Sequence, residues 1–262
     1  MQSAGPLDSL PLWGLYVATV VIILLAVEGG HRLGEYRRQH PEPELEAPVG
    51  VMVGATLGLL AFMLAFTFGL AASRFDMRRG FVVDEANAIG TTYLRAGLLA
   101  EPSRTEVRNL LREYVDVRLE LVRPGKTEEA LHKSDELHGR LWSQAVTVGE
   151  KNPGSIVVGL FIGSLNEVID LHAKRVNLGL RTRVPGTIWA VLYFIAIFAL
   201  GAVGYHAGLT GTRRSLAVLA LVLTFSAVMV LIADLDRPTE GLLKVSQQAM
   251  IDLRNSLMAP KP

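Results

Sequence analysis

Two short patterns in this 262-residue chain have the residue types for metal chemistry. Glu129-x-x-His132 and Asp135-x-x-His138 each pair a carboxylate with an imidazole at i, i+3, which puts both groups on one face of a helix. Carboxylate-bridged metal centres use Glu-x-x-His, but they take one such pair from each of two helices and further glutamates from others. Here both pairs fall in one segment with surface-like neighbours, so no metal and no cofactor are expected. A metal-dependent enzyme would need bound metal that is lost on changing His132 and His138. Glu167, Asp170 and Lys174 read as an Asp170–Lys174 i, i+4 pair with interhelical bonds. Asp234-Leu-Asp-Arg-Pro238 could bind a cation through Asp234 and Asp236, but Arg237 is expected to pair with one carboxylate and Pro238 to end a helix. The sequence has no phosphate-binding glycine loop, nucleophile elbow or zinc-protease histidine pair. Nothing argues for catalysis, and the chain is expected not to be an enzyme.

The elements that carry these groups follow from composition. The chain is 50% hydrophobic and 19% charged, too apolar for a typical soluble protein, which is nearer a quarter charged. Residues 9–27, 47–73, 184–212 and 215–233 contain no charge, and each run reaches the roughly 18 residues a helix needs to cross the hydrocarbon layer. Spans are expected at about 11–29, 48–73, 186–208 and 214–233. The fold class is therefore all-α: a polytopic membrane protein with four transmembrane helices and a cytoplasmic helical domain inserted between the second and third spans. The expected divisions are an N-terminal transmembrane hairpin (1–73), the helical domain (74–185), a C-terminal hairpin (186–233) and a cytoplasmic tail (234–262).

A net charge of +1 argues against a nucleic-acid partner, which calls for a basic face. The absence of cysteine removes disulfides, thiolate metal sites and cysteine nucleophiles. The N-terminal MQSAGPLDSL lacks the positive region of a signal peptide, so the first apolar segment is expected to stay as a span. Glu28 at its end is read as reaching the headgroups.

Orientation follows from Lys and Arg near the span ends. Arg74, Arg78, Arg79, Lys174, Arg175, Arg181 and Arg183 in the insert, with Arg237 and Lys244 in the tail, make nine. Arg32, Arg37 and Arg38 in the first loop, diluted by Glu35, Glu42, Glu44 and Glu46, and Arg213 and Arg214 in the third loop make five. Both termini and the 74–185 domain are expected to be cytoplasmic.

Within the insert, Ser103-Arg-Thr-Glu106 has capping-box form and Val107, Leu110, Leu111, Tyr114 and Val115 make a helical stripe. Pro124 and Gly125 stop that helix. Thr127, Glu128 and Glu129 open the next, and Asn152-Pro-Gly154 ends it. A last helix from about Ser155 to Leu180 shows Leu165, Val168, Ile169, His172 and Val176 on one face, and its apolar opening, Ile156 to Ile162, is too short to span. In the tail, Leu242, Leu243, Val245, Ile251 and Leu253 suggest a short segment packed against the domain. No proline interrupts 49–101, so the second span is expected to continue as one long helix despite Gly80, Gly90 and Gly97.

The second span has the most informative pattern. Gly50, Gly54 and Gly58 repeat every fourth residue, and with Ala61, Ala65 and Ala72 they keep a seam of small side chains that lets backbones approach closely. That seam could pack within one subunit or around a central pore. About 100° away lie Phe62, Phe66 and Leu70 at i, i+4 and i+8, which face lipid or, if copies of the helix surround an axis, form a hydrophobic neck. Further along, Asp84, Asn87, Thr91 and Arg95 form a polar stripe, either a solvated face or the lining of a wet vestibule. Tyr205 and His206 mark the outer end of the third span.

The runs Leu70-Ala-Ala-Ser-Arg-Phe-Asp76, Val83-Asp-Glu-Ala-Asn-Ala-Ile-Gly-Thr-Thr-Tyr-Leu-Arg95, Ser164-Leu-Asn-Glu-Val-Ile-Asp-Leu-His172 and Asp234-Leu-Asp-Arg-Pro238 resemble the bestrophin-like family of bacterial membrane proteins over about residues 10–257. The resemblance implies a homo-oligomeric channel of the bestrophin kind, a pentamer: mostly anion-conducting, with four membrane-associated helical regions, a cytosolic helical domain and a hydrophobic neck on the second span. It carries the neck onto Phe62, Phe66 and Leu70 as a pattern only. The sequence departs from animal bestrophins in having only Asp234 and Asp236 after the fourth span, with no dense acidic calcium clasp. The leading expectation is a bacterial inner-membrane ion channel whose partners are membrane lipid, inorganic ions and further copies of itself. The alternative is a non-conducting scaffold or signalling protein whose helical domain binds a partner, since no ionisable residue lies deep in a span.

Overall fold

The computed structural model describes residues 10–40, 48–123, 125–212, 216–238 and 241–259. The expectations that rest on the N-terminal nine residues, Glu42, Glu44, Glu46, Pro124, Arg213 and Arg214 lie outside the described residues. Among the described residues all regular structure is helical: α1 (Leu12–Gln39), α2 (Val49–Ala96), α3 (Ser103–Glu120), α4 (Thr127–Lys151), α5 (Ile156–Lys174) with a π-helical turn at Arg175–Arg181, α6 (Gly186–Thr210), α7 (Leu216–Asp236) and α8 (Gln248–Met258).

Apolar stretches long enough to cross a membrane lie in α1, in α2, in the run Ile156–Thr210 and in α7. Only 11% of the stretch in α2 is buried within the chain. That is the reverse of a soluble core, where apolar side chains are covered by the chain itself. The protein is an all-helical membrane protein, and its apolar exterior is matched to lipid or to other protein copies. α2 is continuous across Gly80 and Gly90 because no proline removes an N–H donor within it.

The chain divides into two compact units. The first holds α1, α2 as far as Arg74, α6 and α7. Its tightest packing is the crossing of α1 and α6. A Cβ added at Gly30 would strike Gly201 O, one at Gly34 would strike Tyr205 O, one at Gly204 would strike Val27 O, and one at Gly208 would strike His31 O. In lipid no hydrophobic force drives helices together, and close backbone approach through small residues supplies the contact energy instead. Gly30-x-x-x-Gly34 facing Gly204-x-x-x-Gly208 is that device. α1 runs ten residues past the expected end of the first span, and Glu28 pairs with Arg32 at 2.8 Å on its surface.

The second unit holds α2 from Phe75, α3, α4, α5 with its π turn, and α8. Its core is the meeting of helical stripes, with Leu111, Leu141, Phe161 and Leu165 fully buried. Each such side chain contributes about 1.5–3 kcal/mol by leaving water. α8 adds Met250 and Leu257 to this core, with Leu253 partly covered against it. The face it buries is thus i, i+3, i+7, and Ile251, among the apolar residues of the tail expected to pack against the domain, is exposed.

Two local expectations are corrected. Ser103 does not cap α3: it is the first helical residue and buried, and the preceding Pro102 has no side chain to accept a bond. The free amide of Thr105 donates instead to Glu101 Oε2 at 3.2 Å, and Thr105 Oγ1 donates to the same oxygen at 2.8 Å. The cap is therefore a carboxylate reaching in from before the helix. The expected Asp170–Lys174 pair is not formed either; Glu167, Asp170 and Lys174 all lie exposed on α5. A surface pair gains little over separate hydration, so nothing forces it to close. The next residue, Arg175, turns inward instead.

Candidate functional site

In the first unit, α2 has one covered face and one bare face. Leu60, Leu64, Thr67 and Ala71, at i, i+4, i+7 and i+11, are buried. Thr67 satisfies its hydroxyl within the helix by donating to Met63 O at 2.7 Å. The residues of the small seam point away from this face: Gly54, Gly58, Ala61 and Ala65 are exposed, and a Cβ at Gly54 or Gly58 would meet nothing within 4 Å. Of the seam glycines only Gly50 has a neighbour, with an added Cβ standing 3.3 Å from His206 Nε2. Phe62 and Phe66 are 66% and 57% exposed, and Leu70 is half-buried. The seam and the aromatic row thus lie uncovered side by side.

In the second unit, Asp84, Asn87 and Thr91 are exposed, and Arg95 is half-buried with Nη1 donating to Leu160 O at 2.9 Å. They form a polar face on α2. The adjacent residue, Glu85, goes the other way and anchors a buried polar cluster.

Glu85 is fully buried and meets two arginines, Arg118 of α3 with Nε 2.7 Å from Oε1, and Arg175 of the π turn with Nη1 2.6 Å from Oε2. Tyr114 donates its hydroxyl proton to Glu85 Oε1 at 2.8 Å, and Arg175 Nη2 donates to Gln247 Oε1 at 2.8 Å. Burial pushes the Glu85 carboxyl up, but the two guanidiniums outweigh it and hold the pKa at about 2. Burial, and then the Glu85 charge, raise the Tyr114 phenol well above its ordinary value, so it remains a hydroxyl. The cluster draws on α2, α3 and the π turn.

Behind Tyr114 lie two histidines. His172 Nδ1 is 3.2 Å from Tyr114 Oη, and the His138 and His172 rings meet edge to face with centroids 4.7 Å apart. Burial, followed by the charge of Arg118, lowers His138 to about 4; burial, Arg118 and His138 lower His172 to about 3. Both are neutral near pH 7. Asp135 Oδ1 stands 3.4 Å from His172 Nε2. Both pairs lie on α4 as expected, with Glu129, His132 and Asp135 exposed, but His138 is buried. Asp135 and His138 join His172 of α5, with ligand atoms all within 4.8 Å, while Glu129 is taken by Lys126 at 2.6 Å.

At the end of α7, Asp234 and Asp236 are both buried and already serve the backbone. Asp234 accepts from Leu242 N at 2.8 Å and Leu243 N at 3.1 Å, and a side chain at Gly241 would strike its carboxylate. Asp236 accepts from Val184 N at 2.9 Å with Arg74 3.8 Å away, and Arg237 Nη2 donates to Leu10 O at 2.6 Å. α7 ends at Asp236, just before Arg237 and Pro238.

The sequence reading missed Glu85, Arg118 and Arg175. Their signal was present: each is a charge at a position its helix reserves for apolar residues. Glu85 falls in register with Val82 and Ile89; Arg118 with Leu111, Tyr114 and Val115; Arg175 with Val168, Leu171 and His172.

A family profile described as a bestrophin-like domain matches residues 14–250. Among solved structures, the chain is similar to variants of a bacterial bestrophin homologue from Klebsiella pneumoniae. One match has 14% identity and a TM-score of 0.62, covering 95% of this chain and 99% of that one. Another has 15% identity and a TM-score of 0.64, covering 93% and 96%. At these identities the likeness is one of fold. No curated protein sequence matches.

Proposed function

The chain belongs to the bestrophin-like family, and on that premise we propose that copies of it assemble into a homo-oligomer, a pentamer, that conducts ions passively along a central axis lined by α2. Phe62, Phe66 and Leu70 form the neck, and the adjoining small seam of Gly54, Gly58, Ala61 and Ala65 is where neighbouring copies pack. Anions are the conducted class, and Asp84, Asn87, Thr91 and Arg95 line a wet vestibule. The protein sits in the bacterial inner membrane with both termini and the 74–185 domain on the cytoplasmic side. This reading assigns no catalysis to the chain.

The observation that carries it is the bare face of α2. A Cβ added at Gly54 or Gly58 meets nothing within 4 Å among the described residues. Lipid tails gain nothing from a groove of small residues, whereas a second helix gains close backbone contact. A neck of apolar side chains gates by shedding water, so it needs no charged residue in the span.

Averaged images of the detergent-solubilised assembly test the arrangement. The expected result is a closed ring of five with α2 nearest the axis and an opening that narrows at Phe62 and Phe66. A monomer, or a dimer with α2 facing lipid, overturns it.

A further inference from the structure

We infer that Asp135, His138 and His172 form a zinc(II) site that ties α4 to α5. The three offer two imidazole nitrogens and one carboxylate oxygen within 4.8 Å of one another, the one such group among the described residues. Two imidazoles and a carboxylate suit zinc, which binds nitrogen at about 2.0–2.1 Å and so spaces tetrahedral ligands roughly 3.3 Å apart. Asp135 Oδ1 and His172 Nε2 stand 3.4 Å apart.

The hydrogen-bond pattern calls for a cation there. Tyr114 gives its only proton to Glu85, so toward His172 its oxygen can only accept, and Nδ1 of His172 must be the protonated nitrogen. Nε2 then presents a bare lone pair to the Asp135 carboxylate, acceptor against acceptor. His138 Nε2 is likewise enclosed by protein and has no hydrogen-bond partner. His138 is 8% exposed, so this is a buried polar atom left over after the chain has used every bond it makes. A divalent metal answers all three groups at once.

The surroundings fit. Tyr114 backed by Glu85 orients His172 from behind, the outer partner that metal-bound histidines usually have. The Asp135 side chain is 74% exposed, which leaves a route for entry and a position for a water ligand. Arg118 and Arg175 share the single Glu85 carboxylate, so a dication adds to positive charge already present. Affinity is therefore expected in the micromolar range, not that of a closed structural site.

The test uses the full chain in detergent, stripped with a chelator and titrated with Zn²⁺ by calorimetry, with Co²⁺ as the optical probe. Expected are one Zn²⁺ per chain, a rise in Tm on binding and an intense tetrahedral Co²⁺ spectrum. Asp135→Asn, at an exposed position that leaves the fold intact, weakens binding by about 10-fold or more. His138→Ala abolishes the Co²⁺ spectrum, and His132→Ala leaves all three readouts unchanged. No binding by the wild type, or binding undiminished in both Asp135→Asn and His138→Ala, overturns the assignment.

Discussion

Arg118 Nε lies 2.7 Å from Glu85 Oε1 with both side chains wholly removed from solvent. Arg175 approaches the other oxygen at 2.6 Å, so one carboxylate neutralises one guanidinium and shares itself with a second. Burying such a group is costly unless every charge is met, and the cost of breaking it is correspondingly large. Glu85→Gln keeps the shape but leaves two buried cations facing an amide. It is expected to destabilise the chain by about 3–5 kcal/mol, read as a fall in Tm of the full chain in detergent. The exposed neighbour Asp84→Asn should shift Tm little.

The same contact sets an acid limit. The Glu85 pKa is lowered from an ordinary 4.5 to about 2 in the fold. Between those values the unfolded chain binds a proton that the folded chain refuses. The stabilisation is therefore complete above pH 4.5 and is lost as pH falls through 2, amounting to about 3 kcal/mol. Acid unfolding of the wild type should show this loss, and Glu85→Gln should flatten stability against pH over that window. An unchanged acid limb in the variant would assign the loss to other groups.

The proposed assembly gives the glycines of the membrane helices two different jobs, and substitution separates them. Gly204→Leu forces a side chain into Val27 O across the α1–α6 crossing. It should cost at least about 1–3 kcal/mol, the usual price of overpacking, seen as lower yield and Tm. A Cβ at Gly54 or Gly58 meets nothing within 4 Å among the described residues, so Gly54→Leu and Gly58→Leu should fold, and with copies packed along this seam as proposed the assembly should dissociate. Size measurement in detergent by light scattering should report smaller particles for the second pair of variants only.

Asp234 closes the segment after α7 by accepting from Leu242 N and Leu243 N. Asp234→Ala removes both acceptors, at about 1–3 kcal/mol for each amide left without a partner if the segment stays in place. The amides of Leu242 and Leu243 should exchange with solvent faster in the variant, while those of α6 keep their protection. Equal exchange in wild type and variant would contradict the role.

Apolar runs and helical periodicity make the four membrane helices and the helical insert legible from sequence, because length and hydropathy alone decide them. The stripe from Val107 to Val115 and the face bearing Leu165, Val168 and His172 follow from 3.6-residue spacing and are buried. The Asp135–His138–His172 group is not legible, since it depends on how α4 meets α5 and no spacing within one helix encodes that. The α1–α6 crossing is encoded as Gly30-x-x-x-Gly34 and Gly204-x-x-x-Gly208, but Gly50, Gly54 and Gly58 have the same spacing, and spacing alone does not say which glycines meet a helix of the same chain. Glu85 was hidden by its neighbour Asp84: adjacent acids on a helix look alike in sequence, yet 100° of rotation puts one in water and the other in the core.

An ion path lined by α2 and narrowed by Phe62 and Phe66, as proposed, must show itself as conductance. Purified protein in planar bilayers should pass ohmic current, larger for chloride than for sodium or potassium, and Phe62→Ala and Phe66→Ala should each raise it. Silence across anions and cations, or currents unchanged by both substitutions, would contradict the account.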